Sequence, residues 1–277
     1  MRILIFICLL IPGAAALYAQ SPVVKVAVLV YQGMELQDFA GPADVFNKAN
    51  TITRGAYQVY TVSCTKEVVY TDGHIGIQPD YNMQQLPKPD ILVIPGAAIS
   101  MPDSLSRDST LLSLIRHYQD SVSVIMSVSS GAFLLASAGL LDQQAATTHF
   151  FLADDFVTAF PAITLVKDVR YVDIGNIITT AGATAGIDAA LHLVERYSGE
   201  RIAGMVARAM QYSPRREETW PQAPTGMDYK KDADVVCGMI AIDKNTYASY
   251  QGKRYYFCSE ICKKTFLRNP GQYTVKQ

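Results

Sequence analysis

Two short stretches place reactive residue types at spacings that could do chemistry. In "MSVSSGAFLL" an apolar strand pattern stops at Ser129, Ser130 and Gly131, and an apolar helical pattern begins at once. A strand-to-helix elbow of this kind exposes one side chain above a sheet. It also aims the first unbonded N–H groups of the helix at the same spot, where an anion can develop. Cysteine placed there gains thiolate character from the helix's positive end, whereas a serine hydroxyl needs an adjacent base. Of His74, His117, His149 and His192, only His149 in "ATTHF" follows the elbow helix closely. The alternative is that Ser129 or Ser130 does no more than cap the helix, since serine is among the best N-caps. Both readings stand on the residues alone.

The second stretch is a cysteine tail. Cys237, Cys258 and Cys262 form a C-x20-C-x3-C pattern, and no histidine follows His192, so a Cys2His2 site within the tail is excluded. Cys258 and Cys262 sit one turn apart at a helix start, with both sulfurs on one side, and a hairpin can bring Cys237 beside them. Three thiolates suit a trigonal Cu(I) ion, or zinc with a fourth ligand from Met239, Glu260 or water. A Cys258–Cys262 disulfide is the competing reading. A unit this small usually needs a staple, which a metal supplies. Cys64 ends a strand and reads as an apolar filler.

The elements that position these residues alternate from residue 23 onward. "VVKVAVLVY", "YQVYTVSC", "PDILVIPG" and "SVSVIMSV" are buried strands, and "FAGPADVFNKAN" is a helix with Pro42 in its first turn; Asp38 before it either caps the helix or orients a water or substrate. "SLSRDSTLLSLIRHYQD" has helical spacing. "DVRYVDIGNIITTAG" reads as two strands about Gly175-Asn176, and the long apolar helix that follows should break near Ser198-Gly199. Strands alternating with helices imply an α/β fold, a doubly wound and mainly parallel sheet of flavodoxin-like type. Ligands bind at the carboxyl ends of such strands, where "VIPG" and "MSVSSG" both finish. Residues 213–233 are rich in charge and proline and read as a linker, with Trp220 available to pack back on the first domain. Residues 234–277 form a small α+β cysteine module with a turn at Gln251-Gly252.

Composition is ordinary: 49% hydrophobic, 18% charged, net charge -1. Nothing in it points to nucleic acid or an anionic membrane as partner. Met1-Arg2, the run "ILIFICLLI" and the small residues to Ala19 read as a signal peptide over 1–19, too short for a stable span of about 20 residues. The mature chain is therefore expected in a periplasm or secreted.

Four segments in order, "VAVLVYQGMELQDFAGPADVF", "PDILVIPGAA", "SVSSGAFLLASAGLLDQQAATTHF" and "ITTAGATAGIDAALHLVE", resemble the ThiJ/PfpI superfamily of class I glutamine-amidotransferase-like fold. The nearest branch holds isocyanide hydratases and the ligand domains of AraC-type regulators. The resemblance covers about residues 23–212, within a domain read as 20–212. It implies a reactive cysteine where this chain has Ser129, an acidic partner at Asp38, a pocket-facing Thr148, and oxygen-holding N–H groups at the turn Pro95-Gly96-Ala97-Ala98. Two departures stand out: serine at the nucleophile position, and Ala97 where the family turn has its second glycine. The tail is similar to the YHS domain, a metal-associated module, through "CGM", "YYFCSEIC" and "F…NP…Y".

Three functions follow as expectations. One is a small-molecule binder, inactive or weakly active because Ser129 replaces cysteine, coupled to a soft-metal module. Another is a hydrolase or hydratase in which Ser129, or a water held by Asp38, attacks a small electrophile while Ser130 and Ala97 N–H groups hold the anion; His149 reads more readily as a packed, hydrogen-bonded side chain. The last is a metal chaperone or sensor on an inert scaffold. A homodimer is what the resemblance implies.

Overall fold

A computed structural model describes residues 22–82, 85, 87–98, 106–214, 234–236, 241 and 244–274. The expected signal peptide, the linker with Trp220, and Cys237 and Met239 lie outside the described residues.

Chain order gives β1 (Val24–Leu29), α1 (Leu36–Thr53), β2 (Tyr57–Ser63), the short strands β3 (Val69–Tyr70), β4 (Gly76–Ile77) and β5 (Tyr81–Asn82), and β6 (Ile91–Ile94). Next come α2 (Ser109–Tyr118), β7 (Val124–Val128), α3 (Gly131–Ser137), β8 (Ala145–Ala146), α4 (Ala153–Ala159), β9 (Thr164–Leu165), β10 (Tyr171–Asp173) and β11 (Ile177–Thr180). Helices α5 (Thr184–Ser198) and α6 (Glu200–Ala209) close the first domain. The central sheet runs β10-β11-β7-β6-β1-β2-β5. Every neighbouring pair is parallel except β10 with β11.

The period-two pattern of the strands builds a core on each face. Val26, Val28, Val93 and Met126 face α1, α5 and α6. Ala27, Leu29, Leu92 and Ile94 face α2, α3 and α4. Apolar residues on both faces are what a parallel sheet covered by crossover helices requires. The first-domain architecture is therefore the one its patterning implies.

Two local readings need correction. Helix α1 begins at Leu36, with Glu35 in the N-cap position, so Asp38 lies inside the first turn and does not cap the helix. Pro42 consequently falls past the first turn. A helix tolerates it there less well, because proline offers no N–H to the preceding turn. The break before α6 falls where expected, with Gly199 at φ 83°.

A buried ion pair pins the start of α5. Arg170 and Asp188 side chains are 6% and 2% exposed, and Arg170 Nε donates to Asp188 Oδ2 at 2.6 Å. Arg170 also donates to Thr184 Oγ1 and to the Tyr212 hydroxyl.

The C-terminal module contains β12 (Tyr247–Tyr250) and β13 (Lys253–Tyr256), an antiparallel hairpin, then α7 (Glu260–Arg268) and α8 (Pro270–Thr274). Its turn uses Gln251 and Gly252 at φ 50° and 78°, the left-handed pair that matches hairpin twist. Phe257 and Phe266 are fully buried with Ala248 and Tyr255 in a small core of its own.

Asp188→Ala should remove the carboxylate that neutralises the buried Arg170 guanidinium and cost roughly 3–5 kcal/mol. Urea denaturation of the two proteins measures this, and a difference under about 1 kcal/mol would mean that the pair is solvated.

Candidate functional site

Four strand ends deliver the residues of the elbow. After β7, Ser129 turns left-handed at φ 56° and is only 8% exposed. A left-handed non-glycine residue is strained by about 1–3 kcal/mol and persists only where its surroundings hold it. Here they do so on both sides of the residue. Ser129 N–H donates to Thr180 O at 3.1 Å, and its carbonyl accepts from Thr148 Oγ1 at 3.0 Å. The adjoining Gly182 packs so closely that a Cβ there would lie 2.8 Å from Ser129 Cβ. The elbow is thus an assembled feature. A serine that only capped a helix would need none of it.

Ser130 occupies the N-cap position of α3, yet its hydroxyl makes no capping bond. It turns instead to the Pro95–Ala97 turn after β6, accepting from Ala97 N–H at 2.8 Å and donating to Ala97 O at 3.0 Å. The Ala97 N–H expected to hold an anion is therefore already bonded. No acceptor for the N–H of Ser130 or Gly131 is found among the described residues, so these two remain as donors beside Ser129.

Asp38 is completely buried. Its Oδ2 accepts from Gly96 N–H at 3.1 Å and its Oδ1 from Ala183 N–H at 2.8 Å. Ala183 itself sits at φ 46°, a second strained non-glycine residue next to Gly182. Gly96 must be glycine: a Cβ there would stand 2.6 Å from Ser130 Oγ and 2.8 Å from Asp38 Oδ2. Burial lifts the Asp38 carboxyl to about 6, against the two N–H bonds, which pull it down.

His149 lies beyond the elbow helix, but its Nδ1 accepts from Phe151 N–H at 3.4 Å and caps the short 3-10 turn Phe150–Leu152. Burial lowers its pKa to about 4, so the ring is neutral at physiological pH. The imidazole caps a turn and is not bonded to Ser129. Thr148 reaches the elbow through its backbone carbonyl bond, at 3% exposure.

Several residues at the site were not singled out from the sequence. Glu35 and Asp72 share a carboxyl–carboxyl hydrogen bond near Asp38, and burial with Asp72's charge raises Glu35 to about 7. Glu35 stands three residues before Asp38 in "MELQDF", a spacing that could have flagged it. Gly182-Ala183 lay inside "ITTAGATAGIDAALHLVE", one of the segments that carry the family resemblance, but neither was read as a site residue.

In the module, Cys258 Sγ and Cys262 Sγ are 3.8 Å apart and no disulfide joins them. Cys258 precedes the Ser259 N-cap, whose hydroxyl accepts from Cys262 N–H at 3.3 Å. Asp234, 1% exposed, completes a group whose ligand atoms all lie within 4.8 Å of one another. Its carboxylate accepts N–H bonds from Val236 and Cys258, at 2.9 and 2.8 Å. Glu260, considered from sequence as the harder ligand, pairs with Lys263 at the surface instead.

With this geometry in place, comparison with known proteins assigns the class. The chain belongs to the DJ-1/PfpI family, whose profile matches residues 24–196, and a YHS domain spans residues 233–276. It is 32% identical over 194 residues to an isonitrile hydratase of Pseudomonas putida, covering 69% of this chain and 79% of that one. It is 24% identical to the HTH-type transcriptional regulator CdhR of Pseudomonas aeruginosa, over 75% of this chain and 62% of that protein. Among solved structures, a THiJ/PfpI family protein from Pseudomonas syringae superposes with a TM-score of 0.62 at 28% identity, covering 75% of this chain and 80% of that one. Drosophila melanogaster DJ-1beta superposes at 0.60 and 22% identity, over 69% and 99%, and supports the fold alone.

Asp38 imposes a pH dependence. Between its usual value of 3.8 and about 6 the folded protein keeps a proton that the unfolded chain has lost. Stability therefore falls as pH rises through that window and levels off above it, by about 3 kcal/mol at full effect. Glu35 acts with the same sign up to about 7. His149 acts oppositely, favouring the fold as pH rises from about 4. The comparison is therefore between native protein and Asp38→Asn. Urea unfolding from pH 4 to 7 should show the native protein losing more stability than the variant, and parallel profiles would place the Asp38 pKa in its ordinary range.

Proposed function

We propose that the first domain binds a small neutral molecule at the Ser129 elbow, with serine standing where relatives carry a reactive cysteine. The module then holds a thiophilic metal. The observation that carries the first half is that, among the described residues, no base is bonded to Ser129. His149 Nδ1 accepts from Phe151 N–H, and each Asp38 oxygen accepts a backbone N–H. A serine without a base is a poor nucleophile. Its hydroxyl and the Ser130 and Gly131 N–H groups still suit the polar end of a ligand. The likeness to transcriptional regulators accords with a domain that binds rather than transforms, and no nucleic-acid contact is proposed for this chain. Export rests on the pattern of residues 1–19, and a homodimer on the family resemblance.

A second reading is favoured by the isonitrile hydratase relative. Water adds to R–N≡C so that its oxygen becomes the carbonyl of R–NH–CHO, one hydrogen ending on carbon and one on nitrogen. Asp38, poised at about 6, would relay the proton between water and the isonitrile carbon.

For the metal, the donor set fits. Two sulfurs bound at about 2.3 Å in a tetrahedron are separated by about 3.8 Å, which is the spacing of Cys258 and Cys262. A buried carboxylate in third place favours a borderline ion such as zinc over Cu(I). The ion would staple the hairpin to α7. A metal chaperone or sensor role places this module at the centre of function.

Two outcomes test these readings. With cyclohexyl isonitrile as substrate, binding without catalysis predicts no turnover above background in the native protein. Formamide production lost in both Ser129→Ala and Asp38→Asn would establish the hydratase instead. Reduced protein should take up one equivalent of zinc, lost when Cys258→Ala and Cys262→Ala are combined and weakened about 10–100-fold by Asp234→Asn. Uptake unchanged in the double variant would remove the metal reading.

A further inference from the structure

The two sulfurs of the C-terminal module stand where one kind of bond can replace another. Cys258 Sγ and Cys262 Sγ are 3.8 Å apart, both side chains are half-buried, and neither cysteine is in a disulfide. That separation suits two thiolates on one tetrahedral ion. A sulfur–sulfur bond of about 2.05 Å needs a further approach of only about 1.7 Å from the present spacing. Cys258 has the freedom for it, because it precedes the Ser259 N-cap and lies outside α7. Cys262 is fixed in the first turn, its N–H donating to Ser259 Oγ at 3.3 Å.

The surroundings accommodate either bond. The Asp234 carboxylate accepts from Val236 and Cys258 N–H groups at 2.9 and 2.8 Å, so its burial does not depend on an ion. The module core is Ala248, Tyr255, Phe257 and Phe266, and Cys262 packs only against its edge. A unit this small needs a staple, and a Cys258–Cys262 bond ties the chain leaving β13 to α7 as an ion would. The loop it closes is short. Such a bond gains less from chain entropy than a long-range disulfide and stays within reach of thiol reductants.

We propose that the module is a thiol–disulfide switch, in which oxidation by a small disulfide such as glutathione disulfide joins Cys258 to Cys262 and releases the metal ion. Such regulation rests on the metal-binding reading of the module. One cysteine thiolate attacks glutathione disulfide, breaking its S–S bond and expelling one glutathione thiolate. The other cysteine thiolate attacks the cysteine sulfur of that mixed disulfide and expels the second glutathione thiolate. The cysteines lose two electrons and glutathione disulfide gains two. Each glutathione thiolate takes a proton from solvent, and the ion leaves with its charge unchanged. Both sulfur donors are then gone, and metal affinity goes with them.

The test uses full-length protein, reduced, loaded with zinc and exposed to excess glutathione disulfide. Zinc release is followed with a chromogenic chelator, and the new bond is located by peptide mass spectrometry. Oxidant should release zinc roughly tenfold faster than chelator alone. A loss of two hydrogens from the Cys258–Cys262 peptide should accompany it, and dithiothreitol should restore zinc binding. Cys262→Ser should stop at the mixed disulfide, with Cys258→Ser as the second variant should that one fail to fold. Cys237→Ser should still close the bond. Zinc retained through oxidation, or a bond formed to Cys237 instead, overturns the switch and leaves the metal reading standing. Reduced protein that takes up no zinc sinks the metal reading, and the switch with it.

Discussion

One buried carboxylate holds the site together. Asp38 comes from the first turn of α1, yet its two oxygens bind N–H groups from the turn after β6 and from the loop after β11. It thereby ties three strand ends into one rim. Both N–H donors would otherwise be unsatisfied in the interior, at a cost comparable to the bonds themselves. The same burial that makes Asp38 a good clamp raises its proton affinity to about 6, near the pH at which it could also exchange a proton. Structural and chemical roles cannot be separated at this residue, because one environment produces both.

The fold was largely legible because the central parallel strands, covered on both faces, are apolar at nearly every position. "ILVI" and "VIMSV" announce themselves, and the elbow after "MSV" follows from the abrupt change of period. What could not be seen is which neighbour each polar group meets. Ser130 looked like a helix cap and instead bonds both polar groups of Ala97, 33 residues away. Ala97 looked like an anion donor, but its N–H is taken by that same hydroxyl. Propensities and motifs report local chemistry. Contacts between distant strand ends are set by packing, and only resemblance to a family pointed toward them.

Asp234 illustrates the same limit in the module. It ends a run rich in charge and proline, so composition assigns it to solvent. Folding buries it almost completely, because the backbone N–H groups of Val236 and Cys258 need an acceptor where the two segments meet. The thiols were legible because cysteine clustering has few innocent explanations, whereas an aspartate at the edge of a polar stretch has many.

The elbow is a geometry held by its packing rather than by the side chain it presents. Left-handed Ser129, strained Ala183 and the glycines at 96 and 182 form a mutually dependent set. Gly96 and Gly182 approach so closely that neither could carry a Cβ, and the bend at Ser129 depends on both. A thiol there would be activated by electrostatics alone, through the helix start and the nearby N–H donors. A hydroxyl has a pKa too high for those same fields to ionise it, and His149 is committed to the Phe151 turn. Serine and cysteine therefore differ asymmetrically at such a bend: a hydroxyl hydrogen-bonds better than a thiol, but without a base it is the poorer nucleophile. Under the proposed binding reading, Asp38 and Glu35 are the groups near the elbow whose raised proton affinity leaves them able to take part in a proton transfer.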